Sequence, residues 1–248
     1  MTKKQANFIK LLCIGLVMAA FSACLDDNND TVSIYSTIGS LENTDTGDGY
    51  YISTDSGLKL LVDNSSAIDD EVSVNDRLYA EFTFTDEQPQ DYDGKILVHY
   101  VYKILVKNPV QLTNDNAQEI GDDNISVSKI WTSDGYLNFR FQFFSGGNKT
   151  HVLNLVTVDG KSAADDGYLY LEFRHNANYD TTQYPYNGIV SFRTDELFAT
   201  YPSLKGLKIR VKTYSAGEKI YTLELQEETH NNKEVRLGTS EKNVGTLK

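Results

Sequence analysis

"GYLNFRFQFFSGG", residues 135–147, decides the fold. Leu137, Phe139, Phe141 and Phe143 alternate with Asn138, Arg140 and Gln142. In an extended chain a period of two puts the four apolar side chains on one face and the polar ones on the other. Gly146 and Gly147 then punctuate the run as a turn. A strand with one dry and one wet face belongs to an antiparallel sheet packed on one side only.

The same design recurs outward from this stretch. "HVLNLVTVDG", "GYLYLEFRH", "GIVSFRT", "LKIRVKTYSAG" and "KIYTLELQEE" follow at intervals of about 10 to 25 residues, a spacing that suggests an antiparallel β-sandwich. Upstream, "RLYAEFTFTDE" points Leu78, Ala80, Phe82 and Phe84 one way. "GYYISTDSGLKLLVDN" is two runs joined by Asp55-Ser56-Gly57, a hairpin signal. "GKILVHYVYKILVKNPV" reads as one long strand ended by Pro109, and with "TVSIYSTIGSLEN" these make about five strands from 31 to 113. Between the two sets, "QLTNDNAQEIGDDN" is polar and acidic and reads as a connection and domain boundary. A short helix is expected after Thr194 as N-cap, with Asp195 and Glu196 in its first turn and Leu197, Phe198 and Tyr201 on one side.

The N-terminus reads as an address. Lys3, Lys4 and Lys10 precede an apolar run from Leu11 to Phe21, then Ser22, Ala23 and Cys24. A charged start, a short apolar core and small residues before a cut describe a secretory leader. The core is about half of the roughly 20 residues that a spanning helix needs. Phe21-Ser-Ala-Cys24 resembles a bacterial lipobox, in which Cys24 takes the lipid and becomes the first mature residue. Asp26, Asp27 and Asp30 follow closely and resemble an acidic surface-export signal. The expected place is therefore the outer membrane, held by lipid on Cys24 and facing outward. The other cysteine, Cys13, lies in the leader, so the folded part carries no thiol chemistry.

Charge narrows the partners. The chain carries −12, and loss of the leader's three lysines takes it to −15. Non-specific nucleic-acid binding depends on Lys and Arg displacing counterions, so no nucleic-acid partner is expected. Residues 31 to 113 supply Tyr50, Tyr51, Tyr79, Tyr92, Tyr100 and Tyr102 but only five cations: Lys59, Arg77, Lys95, Lys103 and Lys107. A protein or glycan partner is expected instead.

Catalytic chemistry is thin. The acidic runs Asp69-Asp70-Glu71, Asp122-Asp123 and Asp165-Asp166 read as solvated turns. "ENTDTGDG", residues 42–49, lacks the ligand and glycine positions of an EF-hand loop. There is no HExxH, nucleophile elbow or glycine-rich phosphate loop. No catalytic residue, metal site or cofactor is assigned. Two stretches are candidates for binding. Arg174, His175, Asn178 and Asp180 stand where the chain leaves a strand, and either bind a polar partner or form a hydrogen-bonded corner with Asn176. Trp131, Tyr184 and Tyr186, with Tyr179, are the aromatics of a candidate interface or sugar platform.

Taken in order, these pieces resemble the NigD-like lipoproteins of Gram-negative gut and oral anaerobes. The most distinctive are Leu171-Glu-Phe-Arg-His-Asn-Ala-Asn-Tyr-Asp180 and Gly188-Ile-Val-Ser-Phe192, and the resemblance runs from about 31 to 237. It implies an all-β chain: an N-terminal five-stranded oligonucleotide/oligosaccharide-binding (OB) barrel followed by a C-terminal β-sandwich. It also implies an association with bacteriocin gene clusters, and brings no functional residues. The expected organisation is a signal peptide over 1–23, an acidic tether over 24–30, an OB-like barrel over 31–113, a linker over 114–124, an antiparallel sandwich over 125–237 and a polar tail over 238–248. The expected function is an envelope-anchored, non-catalytic module that recruits a protein or glycan. The alternative is a hydrolase with its residues scattered over the sandwich loops.

Overall fold

The computed structural model describes residues 33–133, 135–158 and 166–225. Cys24, Asp26, Asp27 and Asp30 lie outside the described residues, as does the tail over 238–248. The chain divides into two units at Lys103/Ile104.

In the first unit, β1 (Tyr35–Asn43), β2 (Tyr50–Thr54), β3 (Lys59–Val62), β4 (Arg77–Phe84) and β5 (Gly94–Lys103) close into a barrel in the order β1-β2-β3-β5-β4. All neighbours are antiparallel except β3 and β5. The predicted hairpin turn is present: Gly57 takes φ +81°, and its amide donates to the Thr54 carbonyl at 2.9 Å. Leu41, Ile52, Leu60, Leu78, Ala80 and Ile96 fill the interior. At Gly39 a Cβ would stand 2.3 Å from the Ser53 carbonyl oxygen, so only glycine lets β1 and β2 approach this closely. Arg77, 1% exposed, is paired to Asp55 of the hairpin turn at 2.9 Å. A buried guanidinium persists only with such a partner.

The second unit is a two-sheet sandwich. Its elements are β6 (Leu105–Lys107), β7 (Val110–Leu112), α1 (Ala117–Ile120), β8 (Ser126–Ser133), β9 (Tyr136–Ser145), β10 (Val152–Val158), β11 (Tyr168–Asn176), β12 (Tyr184–Arg193), α2 (Asp195–Thr200), β13 (Gly206–Thr213) and β14 (Gly217–Glu224). One sheet runs β14-β13-β11-β10-β7, the other β6-β12-β9-β8. Leu137, Phe139, Phe141 and Phe143 all point into the core between them, where Phe139 stacks on Phe173 with ring centroids 4.2 Å apart.

Three features differ from the reading of the sequence. The run from Gly94 through Val110 is not one strand: β5 ends at Lys103, Ile104 is buried, and β6 and β7 join opposite sheets of the sandwich. The change of unit therefore comes ten residues before the expected end of the barrel at 113. An unbroken apolar run carries no mark of where its partners change. Residues 114–124 are likewise part of the second unit, with α1 inside them. The sandwich is mixed rather than wholly antiparallel, because β7 with β10, β6 with β12 and β13 with β11 are parallel pairs. Helix α2 forms where expected and packs Leu197, Phe198 and Tyr201 on the core. Thr194 holds the N-cap position without a capping bond, its buried hydroxyl unpartnered.

Candidate functional site

One end of the sandwich carries the densest polar chemistry. The loop from Ala177 to Gln183 leaves β11 in one sheet and enters β12 in the other. Asp180 sits in this crossing with its side chain only 2% exposed. Its Oδ2 accepts from Ser145 Oγ at 2.7 Å and from the Gly146 amide at 2.8 Å, both at the end of β9. The same oxygen faces His151 Nε2, just before β10, at 3.1 Å. His151 Nδ1 lies 2.7 Å from His175 Nε2, and His175 Nδ1 lies 3.0 Å from the Asn124 carbonyl oxygen. Ser145, Asp180, His151, His175 and Asn124 thus form one continuous hydrogen-bonded relay. The register Leu153 to His175 brings the two imidazoles together across β10 and β11. Phe143 stacks on His151 at 4.2 Å and on His175 at 4.9 Å, and Tyr186 stacks on Phe143 at 5.0 Å.

The Ser145 hydroxyl, with His151 and two backbone amides, holds the Asp180 carboxyl well below the usual carboxylate range against the opposing effect of burial. Burial pushes the His175 imidazole below its ordinary value; the Asn124 carbonyl opposes this and His151 adds to it.

The chain before β8 is tied to this corner. The Asp123 amide donates to the His175 carbonyl at 2.7 Å, and Asp123 Oδ2 accepts from the Ala177 amide at 2.8 Å. Asn176 Nδ2 donates to the carbonyls of Gln118 and Glu119 at 3.1 and 2.8 Å, satisfying acceptors that the end of α1 leaves open. Asn178 and Tyr179 both take left-handed backbone, φ 50° and 61°. The Asn178 side chain holds this turn by donating to the Thr150 carbonyl.

Beside the relay opens a cavity of about 660 Å³. Its walls include Asp115, Glu119 and Asp123, the amides of Gln118, Asn176 and Asn178, and the rings of Phe144, Tyr179 and Tyr214. Tyr179 is 94% exposed, and Phe144 meets Tyr214 edge-on at 5.3 Å.

Of the residues chosen from sequence, His175, Asn178 and Asp180 line this cavity. Tyr186 and Tyr184 stand at the same end of the sandwich, opposite Phe143 and Ser145, 55% and 71% exposed. Arg174 does not join them. It pairs with Glu172 at 2.7 Å in a network that Arg210 completes by clasping Asp122 through both nitrogens at 2.9 and 2.8 Å. Trp131 is also elsewhere, opposite Asn138 on β8 with the Lys129 ammonium 5.3 Å from its ring. Asn138 and Phe143 are five positions apart on β9, about 17 Å along the strand. Sequence reading missed His151, Ser145 and Asn124. Each joins the relay only through strand register and a loop contact, and neither leaves a local pattern.

The C-terminal β-sandwich domain of the NigD-like family matches residues 108–225, and the family's N-terminal OB domain matches residues 38–104. The chain belongs to the NigD-like family. Among solved structures, a protein of unknown function from Bacteroides vulgatus is 26% identical, with TM-score 0.69 over 78% of this chain and 92% of its own. A protein from Parabacteroides distasonis, described by name only as toxin-related, is also 26% identical, with TM-score 0.59 over 77% of this chain and 92% of its own. A NigD-like immunity protein from Bacteroides caccae shares the fold at 20% identity, TM-score 0.56, over 78% of this chain and 93% of its own. No curated protein sequence matches the chain. The match to the OB domain ends at residue 104, where the structure changes unit, and β7 lies inside the match to the sandwich domain.

Proposed function

We propose that this NigD-like chain is a non-catalytic binding module, held on the outer membrane by lipid on Cys24, that recruits a protein or glycan through the loop end of its sandwich. The observation that carries the reading is the cavity itself, where exposed Tyr179 and Tyr214 stand over amide and carboxylate groups. Aromatic faces beside fixed polar groups suit recognition of a partner with both apolar and hydrogen-bonding surface.

The relay does not have the form of a hydrolase triad. A nucleophilic serine must give its proton to an imidazole. Here Ser145 Oγ donates to Asp180, and both ring nitrogens of His151 are already engaged by Asp180 and His175. An association with bacteriocin gene clusters, which the family resemblance implies, would put that role at a producer or target envelope. The name of the Bacteroides caccae relative is in keeping with that.

The test is capture by the mature protein from solubilised envelope and on a glycan array, run beside a Tyr179→Ala/Tyr214→Ala variant. A partner retained by the first and lost by the second, with the fold unchanged by circular dichroism, is the expected result. Equal capture by both would place recognition elsewhere. Cys24→Ser is expected to move the protein out of the membrane fraction or stall its processing. Protease added to intact cells is expected to remove the wild-type protein.

A further inference from the structure

The relay has acceptors at both ends. The Asn124 carbonyl can only accept, and so can the ionised Asp180 carboxylate. Between them lie two imidazoles and three contacts, at 3.0, 2.7 and 3.1 Å. Each contact needs one hydrogen, and two neutral imidazoles carry only two between them. A neutral pair therefore leaves two lone pairs facing each other at one contact: between His175 and the Asn124 carbonyl, between the rings, or between His151 and the carboxylate. The complete relay requires a third ring proton and a net positive charge on the pair. Burial disfavours charge on His175, and the counter-charge for the pair, Asp180, stands at its other end. Among the described residues, the charged groups that face the pair are Asp180 from the loop and Asp123 from the segment before β8.

We propose that His151, His175 and Asp180 form a proton-operated latch on the 177–182 loop, which closes the wall of the binding cavity while the pair holds its third proton and releases it when that proton leaves. This rests on the reading of the cavity as the recognition site. The loop is poised for release. Asn178 and Tyr179 are in left-handed backbone, which for non-glycine residues persists only when the surroundings enforce it. The restraint on its far side is Asp180, whose Oδ2 alone takes three contacts, from Ser145, Gly146 and His151. Loss of the proton leaves the relay one hydrogen short and takes away the positive charge that faces the Asp180 carboxylate. Asn178, Tyr179, Asp180 and Thr182, all from this loop, line the cavity, so movement here changes what the cavity can hold. The sign follows directly. Asp180 stays ionised down to acidic pH, the third proton is bound at lower pH, and the latch opens as pH rises through the pair's deprotonation.

The experiment uses the mature full-length chain, without ligand. Ring-nitrogen NMR of the histidines is followed from pH 5 to pH 10, with His99 and His230 as internal references. In parallel, hydrogen exchange of the 177–182 amides is measured and corrected for the intrinsic rate. The expected result is one imidazolium shared by the pair at the acidic end. Its loss should coincide with a rise of about tenfold or more in loop exchange. Asp180→Asn keeps an acceptor but removes the counter-charge, and should move both changes together to lower pH. A pair neutral throughout with the loop protected, or loop exchange indifferent to the pair's titration, would overturn the latch. Because no partner is added, neither result depends on the binding reading. If Asp180→Asn does not fold, the wild-type titration decides alone.

Discussion

Asp180 shows how one side chain joins two sheets: its Oδ2 takes donors from the end of β9 and from the chain entering β10. Its carboxyl is held low in the folded protein and is near 3.9 in the unfolded chain. A group depressed in this way contributes stability above the unfolded value, and that contribution is lost as pH falls through the folded one. Ser145→Ala removes the largest cause of the depression. It should raise the Asp180 carboxyl toward the ordinary range and reduce the stability difference between pH 6 and pH 3. Carboxyl-carbon NMR and thermal melts across that interval check both. His175 and Asp180 could be read from sequence because they stand in one polar stretch at a strand's end. His151 could not. Its meaning depends on register with β11, and an isolated histidine after a glycine turn looks like any solvated hairpin residue.

At the scale of elements, period-two alternation made β4 and β9 legible. Leu78, Ala80 and Phe82, and the four apolar residues of β9, are buried on the face expected. What escaped is pairing. β6 and β7 together are six residues long, and their partners lie far downstream. Alternation tells which face of a strand is dry, not which strand lies beside it. The segment before β8 looked like a linker because it is polar, yet its polar groups are spent on β11. Gly121 shows this. It takes φ +70°, and a Cβ there would lie 2.5 Å from the Asn176 Cβ. Gly121→Ala should therefore destabilise the second unit by at least about 1–2 kcal/mol and loosen the Asn176 clamp on α1. Urea unfolding, with exchange at residues 117–124, measures both.

The whole molecule is two cores in series, and each should fail on its own terms. Phe139 is fully buried in the sandwich and Leu78 in the barrel. Phe139→Ala should cost about 3–5 kcal/mol and Leu78→Ala about 2–5 kcal/mol. The double variant should show additive losses, because the residues belong to separate clusters. Charge also acts at this scale. Of the barrel's few cations, Arg77 is buried against Asp55, Lys95 bridges Asp63 and Glu87 at 2.6 and 3.0 Å, and Lys103 meets Asp76 at 2.7 Å. With three of its four cations paired to carboxylates, the OB barrel should not bind a labelled single-stranded oligonucleotide in an anisotropy titration near physiological salt. Saturable binding that weakens steeply with salt would contradict this. The pairing of β6 and β7 has a consequence in time. Synthesis delivers the N-terminal part first, and the barrel closes once β5 has been made. Leu105 must then wait for Val190, and Val110 for Val156. Until β12 arrives, a growing chain would hold a finished barrel and a sandwich whose first two strands have been made but only one of them has a neighbour.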